Sequence, residues 1–347
     1  MQQKNGITRV LVAEDSPIQR QYLTSLINEV PDLTVVGHAA DGAQAIEMTK
    51  TLQPDVISMD IKMPNTDGLE ATRYIMSQLP TPVVIVSSLL EDDVELALKA
   101  LDSGALAVLS KPVSRNHTDF NKRQCELLTT LRAMAKVKVV ARRSKFSTQT
   151  LSTTKTQRAT PEVLAIGAST GGPRALHRVL TGLPSSLSVP IVIVQHMPPE
   201  FIPGLARWLN HVTPLDVKVA ESGKVLKPGQ VVIAPGDQHL LVEKHDLDLV
   251  ARLSSADYGQ DYKPSVDVLL KSVASACGAA AIGLIMTGMG DDGALGLLAM
   301  KEKGAYTFTQ DEHSSTVYGM PSAAIKCNAV EKSVSLSDLP SEILKVL

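Results

Sequence analysis

Apolar and polar positions alternate along this chain in two blocks. Between residues 7 and 134, short apolar runs at 7–13, 33–37, 56–59, 83–87 and 105–109 are separated by longer stretches with a helical period. The runs are rich in Val and Ile, as strands covered on both faces should be. A representative helical stretch is Asp93-Val94-Glu95-Leu96-Ala97-Leu98-Lys99-Ala100-Leu101, closed by Gly104 just past its end. Strand and helix in alternation predict a doubly wound α/β domain of about five strands and five helices. A second α/β block starts at Val163 and runs to the C-terminus, with strands predicted at 163–167, 191–195, 231–234 and 281–286.

Between the blocks the composition shifts. From Leu127 to Pro161 there is no acidic residue, while Arg132, Lys136, Lys138, Arg142, Arg143, Lys145, Lys155 and Arg158 stand among Ser, Thr and Gln. No helical pattern or group of aromatic residues accompanies these charges, so the stretch reads as a linker rather than a nucleic-acid or lipid patch. The organisation expected is a domain at 1–135, a basic, polar linker at 136–160 and a domain at 161–347. The 347 residues suit two domains at roughly 150 residues each.

Composition removes several function classes. With 44% hydrophobic residues and a net charge of −2, the chain is neither a disordered tail protein nor a generic polyanion binder. Aromatic residues make up only 3%, with Trp208 the sole tryptophan, so the stacking platform of a single-strand or sugar binder is missing. Cys125, Cys277 and Cys327 are widely spaced and form no CxxC pair. Each is expected to be a small buried residue in a reducing compartment. No apolar run approaches the ~18 residues of a membrane span, and the first five residues lead into no signal-peptide core. A cytoplasmic protein, with no membrane insertion and no nucleic-acid partner, is expected.

In an open parallel sheet, ligands bind beyond the carboxyl ends of the strands. In the first block these positions hold Glu14 and Asp15, then Asp60, then Ser87, then Lys111-Pro112. Three crowded carboxylates repel one another unless a divalent cation intervenes, and an all-oxygen set suits Mg²⁺. A metal beside Asp60 would neutralise an incoming phosphoryl group, with Ser87 donating to a phosphoryl oxygen and Lys111 pairing with it. Any one of these acids alone could merely cap a helix.

In the second block, the strand at 163–167 runs into Ala168-Ser169-Thr170-Gly171-Gly172-Pro173 and a helical segment at 174–180. A glycine-rich strand-to-helix turn offers backbone N–H groups and the positive end of a helix. The spacing is not G-x-G-x-x-G, no Walker lysine is present, and the next strand ends in Gln195-His196 rather than a ribose-binding acid, which disfavours a nucleotide site. Used differently, the same turn exposes Ser169 and leaves N–H donors for an oxyanion. His196 follows the next strand as a candidate base. The strand at 281–286 leads into Thr287-Gly288-Met289-Gly290-Asp291-Asp292-Gly293, where Asp291 or Asp292 could orient the histidine. Chain order Ser, His, Asp and the lack of a G-x-S-x-G elbow exclude the α/β-hydrolase superfamily. His38, His117, His177, His211, His239, His245 and His313 lack such positioning and are expected to be surface or structural.

Taken together, Glu14-Asp15, Asp60 with the following Ile61-Lys62-Met63-Pro64, Ser87 and Lys111-Pro112 resemble the receiver domain of bacterial two-component response regulators. The resemblance implies a flavodoxin-like receiver in which a histidine kinase phosphorylates Asp60. Mg²⁺ would be held by Asp15, Asp60 and the backbone carbonyl of Lys62, with Glu14 assisting through water. Lys62 stands where the family often has an acid, and Val108 where many receivers place a switching aromatic. In the second block, the Ser169 turn, Gln195-His196-Met197-Pro198-Pro199, Pro235-Gly236-Asp237-Gln238-His239, Pro264-Ser265-Val266-Asp267 and the Met289 to Gly293 loop resemble the chemotaxis protein-glutamate methylesterases. That resemblance implies a Rossmann-like esterase domain with Ser169, His196 and Asp292 as catalytic triad and the Met289 backbone N–H as oxyanion donor. Lys263 stands where relatives often have Arg. The function implied is hydrolysis of glutamate methyl esters, and deamidation of glutamines, on methyl-accepting chemoreceptors by a phosphorylation-activated, monomeric enzyme with no cofactor for the ester step. The rival readings are the same chemistry on another signalling protein and a non-catalytic regulator.

Overall fold

The computed structural model describes residues 6–88, 96, 99–101, 103–137, 159–260 and 262–347. The chain divides into two compact units at Lys145/Phe146, within the stretch expected to be linker. The linker residues 138–158 and most of the helix expected at 93–101 lie outside the described residues.

The first unit is built on β1 (Thr8–Ala13), β2 (Leu33–Ala39), β3 (Val56–Met59), β4 (Val83–Ser87) and β5 (Ala107–Ser110). These form one parallel sheet in the order β2-β1-β3-β4-β5. Both β3 and β4 are buried along their whole length, the reason their sequences are unbroken apolar runs. Strand β5 starts two residues later than expected because the N–H of Ala105 still closes the preceding turn on Ala100 O (3.0 Å). Helices α1 (Pro17–Asn28), α2 (Gly42–Leu52) and α3 (Gly68–Gln78) each start on a capping side chain, Ser16, Asp41 and Asp67 respectively. Helix α4 (Phe120–Met134) buries Leu127, Leu128, Leu131 and Met134. It leaves Cys125 exposed on its outer face, so that cysteine is not the buried residue expected; Cys277 and Cys327 are half-buried. The order of strands reverses direction between β1 and β3, and the crevice there opens above Glu14, Asp15 and Asp60.

The second unit carries a seven-stranded parallel sheet and a small antiparallel one. In chain order the strands are β6 (Val163–Ala168), β7 (Ile191–Gln195), β8 (Asp216–Val219), β9 (Lys224–Val225), β10 (Gln230–Ile233), β11 (His239–His245), β12 (Asp248–Ser254), β13 (Ala281–Ile285), β14 (Tyr306–Gln310) and β15 (Lys332–Val334). The large sheet runs β15-β14-β13-β6-β7-β10-β8. Helices α5 (Gly172–Thr181), α6 (Ile202–Val212), α7 (Val266–Cys277), α8 (Ala294–Glu302), α9 (Met320–Lys326) and α10 (Leu339–Leu344) accompany it. The antiparallel sheet β11-β12-β9 is an addition to the parallel architecture expected. Its hairpin turns at Asp246-Leu247, where Asp246 takes a left-handed φ of 54°. Inward residues Leu240, Val242, Leu249 and Ala251 join the core with Val266, Leu269, Leu270 and Val273 of α7. Chain direction across the large sheet switches beside β6, so the loops after β6, β7 and β13 emerge side by side.

Candidate functional site

In the first unit the structure brings the acids and the lysine together. Lys111 Nζ lies 2.8 Å from Asp60 Oδ2 and 2.9 Å from Glu14 Oε2. The N–H of Ile61 donates to Asp60 Oδ1 at 2.7 Å. Glu14 and Asp60 are buried, whereas Asp15 is exposed. Burial raises both buried carboxyls above their ordinary values against the pull of Lys111, and the charge of Asp60 adds to the rise at Glu14. Burial lowers the Lys111 ammonium, but its bonds to Asp60 and Glu14 more than compensate, leaving it raised. One carboxylate oxygen from each of Glu14, Asp15 and Asp60 falls within 4.8 Å of the others, a hard-oxygen set that fits a divalent cation. Ser87 is buried at the end of β4, and its carbonyl accepts the Lys111 N–H at 2.8 Å. Lys62 follows in the exposed loop after Asp60. Val108 is buried in β5 and pairs with Ile85.

The second unit joins His196 to Asp292: Nε2 lies 2.9 Å from Oδ2. Asp292 also accepts from Ser265 Oγ (2.8 Å) and from the N–H groups of Val266 (2.7 Å) and Asp267 (3.0 Å). Those N–H groups are the free donors of the first turn of α7, so the carboxylate faces the positive end of a helix. Burial would raise Asp292, yet its hydrogen bond and attraction to His196, with the N–H bonds of Asp267 and Val266, hold it below the ordinary carboxylate value. Asp291, by contrast, is exposed and makes no bond to His196. His196 Nδ1 is buried and has no hydrogen-bond partner.

Ser169 sits half-buried on the turn between β6 and α5. Its N–H donates to Thr287 O (3.0 Å), and its carbonyl accepts from the Gly172 N–H and from Gln195 Nε2, each at 2.8 Å. Ser169 Oγ and His196 are not hydrogen-bonded to each other. The glycines of the turn have steric reasons of their own: Gly171 has φ 78°, and a Cβ on Gly172 would lie 2.0 Å from Gln195 Oε1. Thr287 Oγ1 donates to Thr170 O (2.9 Å) and accepts the N–H of Val317 (2.9 Å), tying the two loops together. Gly288 N–H is taken by Val317 O (3.0 Å), while the Met289 N–H has no partner among the described residues.

Of three residues that support the site, Ser265 and His239 stand in motifs quoted above without a role beside His196, and Tyr262 lies outside those motifs. Ser265 caps α7, accepting the Val268 N–H while donating to Asp292, and a serine before an apolar helical run is a signal that could have been read. His239 is buried and its Nδ1 accepts the Ser265 N–H (3.2 Å), a structural role beside the site. Tyr262 stacks on the His196 ring, and nothing in the local sequence announces that contact.

Fold and sites together define a two-unit α/β protein: a receiver-type acid cluster precedes a group of neighbouring loops carrying serine, histidine and aspartate. The chain belongs to the CheB methylesterase family. The model of that family matches residues 164–343, and the response regulator receiver domain matches residues 10–119. A protein-glutamate methylesterase/protein-glutamine glutaminase of Myxococcus xanthus is 45% identical, covering 98% of this chain and 97% of its own length. One from Pyrococcus abyssi is 36% identical over 98% of this chain and 93% of its own. The crystal structure of the Thermotoga maritima CheB methylesterase catalytic domain matches with a TM-score of 0.53 at 35% identity, covering 55% of this chain and all of that one.

Proposed function

We propose that this chain is a phosphorylation-regulated protein-glutamate methylesterase and protein-glutamine glutaminase, acting on methyl-accepting chemoreceptors in adaptation. Ser169 Oγ attacks the side-chain carbonyl of the glutamyl ester. His196 takes the serine proton at Nδ1, the ring nitrogen left uncommitted when Nε2 engages Asp292. Asp292 keeps its charge, fixes the tautomer and stabilises the imidazolium. The Met289 N–H receives the developing oxyanion. The imidazolium returns its proton to the departing methoxide, giving methanol and a glutamyl ester on Ser169. His196 then takes a proton from water as the hydroxide attacks the acyl carbon, and the imidazolium returns that proton to Ser169 Oγ as the acyl bond breaks and glutamate leaves. A glutamine amide follows the same course and releases ammonia.

In the receiver, Asp60 accepts a phosphoryl group from a histidine kinase. Ser87 donates to one phosphoryl oxygen and Lys111 pairs with another. Asp15, Asp60 and the carbonyl of Lys62 would hold Mg²⁺, with Glu14 acting through water; the cation supplies charge neutralisation for phosphoryl transfer. The domains are taken as 1–135 and 161–347, joined by the linker at 136–160, in a cytoplasmic monomer. Among the described residues no helix is long and apolar enough to cross a membrane.

The observation that carries this reading is the His196 to Asp292 bond of 2.9 Å, made beside a serine turn and leaving one buried ring nitrogen free. Methanol release from methylated receptor, with and without a small-molecule phosphodonor, tests it. Release that rises with phosphodonor is expected; no release in either condition overturns the reading.

A further inference from the structure

Tyr262 lies face to face with the imidazole of His196, the ring centroids 4.5 Å apart and the planes 6° from parallel. The reaction as set out above makes no use of it. We infer that Tyr262 is a positioning residue for the histidine base: its ring fixes the plane of the imidazole and stabilises the imidazolium formed when Ser169 gives up its proton. The inference rests on His196 being the base of the proposed reaction.

The bond from Nε2 to Asp292 anchors one corner of the imidazole and leaves tilt about that bond unrestrained. A ring stacked on its face removes the tilt. Tyr262 is partly exposed, with 38% of its surface accessible, whereas the His196 side chain is 11% exposed. The tyrosine therefore stands on the solvent side and keeps water from that face of the base. Its hydroxyl end reaches the turn after Met289, since a Cβ on Gly290 would lie 3.2 Å from it. One aromatic ring thus spans the base and the loop of the proposed oxyanion donor.

The electrostatic effect is differential. The face of an aromatic ring is negative, so it attracts an imidazolium more than a neutral imidazole. Positive charge appears on His196 as the Ser169 Oγ–carbonyl bond forms and its proton moves to Nδ1. It disappears when that proton passes to methoxide. A group that favours only the charged form lowers the barrier without tightening substrate binding. Among the described residues, the charged groups on the elements beside His196 include Asp292, in direct contact, Asp267, whose N–H bonds Asp292, and exposed Asp291 and Glu200. His239 is buried and bonds the Ser265 N–H, and Lys263 donates its Nζ to Ser255 O at 2.9 Å.

The test compares full-length wild type, Tyr262→Phe and Tyr262→Leu, all with saturating phosphodonor, following methanol release from methylated receptor across pH. Phenylalanine keeps the ring face and is expected to stay within about twofold of wild type. Leucine keeps the apolar cover but loses the ring face. It is expected to lose roughly fivefold in plateau kcat with little change in KM, while the acid limb of kcat/KM moves to lower pH by about half a unit. A purely structural defect would lower the rate equally at every pH. Titration of the His196 ring protons by NMR, identified by their loss in His196→Gln, gives a readout independent of turnover, with the midpoint in Tyr262→Leu below that in Tyr262→Phe. Equal midpoints in the two variants, with equal acid limbs, overturn the inference. Absence of methanol release from the wild type would strike the esterase reading instead, leaving the titration to decide the role of Tyr262.

Discussion

Asp60 and Asp292 are each 6% exposed, each at the carboxyl end of a parallel sheet, yet they are shifted in opposite directions. Asp60 receives one N–H, from Ile61, and one ammonium that it shares with Glu14. Asp292 receives two N–H groups of a helix first turn, a serine hydroxyl and the imidazole. Burial is common to both; the supply of donors decides the sign. An acid surrounded by other acids and short of donors keeps lone pairs for a cation and a phosphoryl group. An acid saturated with donors keeps its charge and serves to orient a neighbour.

The largest expected effect separates the two sites by their chemistry. Ser169→Ala and His196→Ala should each reduce methanol release by about 10⁴-fold or more, with the double variant no worse than either, because nucleophile and base act as a unit. Both should still accept label from a phosphodonor. Wild-type turnover by Ser169→Ala would remove the esterase assignment. The converse variant, Asp60→Asn, should take up no phosphoryl label, and EDTA should suppress labelling of the wild type. Label that persists in Asp60→Asn would place the acceptor elsewhere.

A smaller effect measures whether the sites are coupled. A fragment starting near Thr160 is expected to release methanol about tenfold faster than the unphosphorylated full-length chain, the ratio given by a ~1.4 kcal/mol preference for an inhibited arrangement. Phosphodonor should raise only the full-length activity. Equal specific activities with and without phosphodonor, in both proteins, would eliminate inhibition by the receiver.

The smallest effect tests the opposite signs directly. Asp292 is lowered in the folded state, so its ionisation stabilises the fold at neutral pH, and that stabilisation is lost as pH falls through its lowered value. Asp60 is raised, so its ionisation costs stability at neutral pH, and the cost disappears as pH falls through the raised value toward the ordinary one. Asp292→Asn turns an amide NH₂ toward donors and should cost about 1–3 kcal/mol at pH 7, a difference that narrows in acid. Asp60→Asn leaves Lys111 paired with Glu14 and should raise Tm slightly, the gain fading as pH drops. Thermal melts from pH 7 to pH 3 read both; shifts of the same sign would dissolve the comparison.

Much of this was legible in the chain because strand ends bring distant residues together by rule. Runs at 56–59, 83–87 and 191–195 coincide with β3, β4 and β7, so that Ser87 closes β4 while Asp60 and His196 stand just after β3 and β7. What the pattern does not contain are contacts made by loop closure. Spacing left Asp291 and Asp292 open, and the choice turns on the first turn of α7, whose N–H groups point at only one of them. Tyr262 reaches His196 across 66 positions of sequence through a loop that has no period to read. The hairpin of β11 and β12 likewise falls outside the pattern of a parallel core, because its half-buried strands alternate apolar with charged residues.

Thr287 has a further consequence for motion. Catalytic loops are usually drawn from the least stable parts of a fold. Here the N–H of Ser169, the proposed nucleophile, is bonded to the carbonyl of the residue two places after β13, and the hydroxyl of that residue grips Thr170 and Val317. The Ser169 amide should therefore exchange its hydrogen with solvent as slowly as the strands beneath it, opening only when β6 and β13 part.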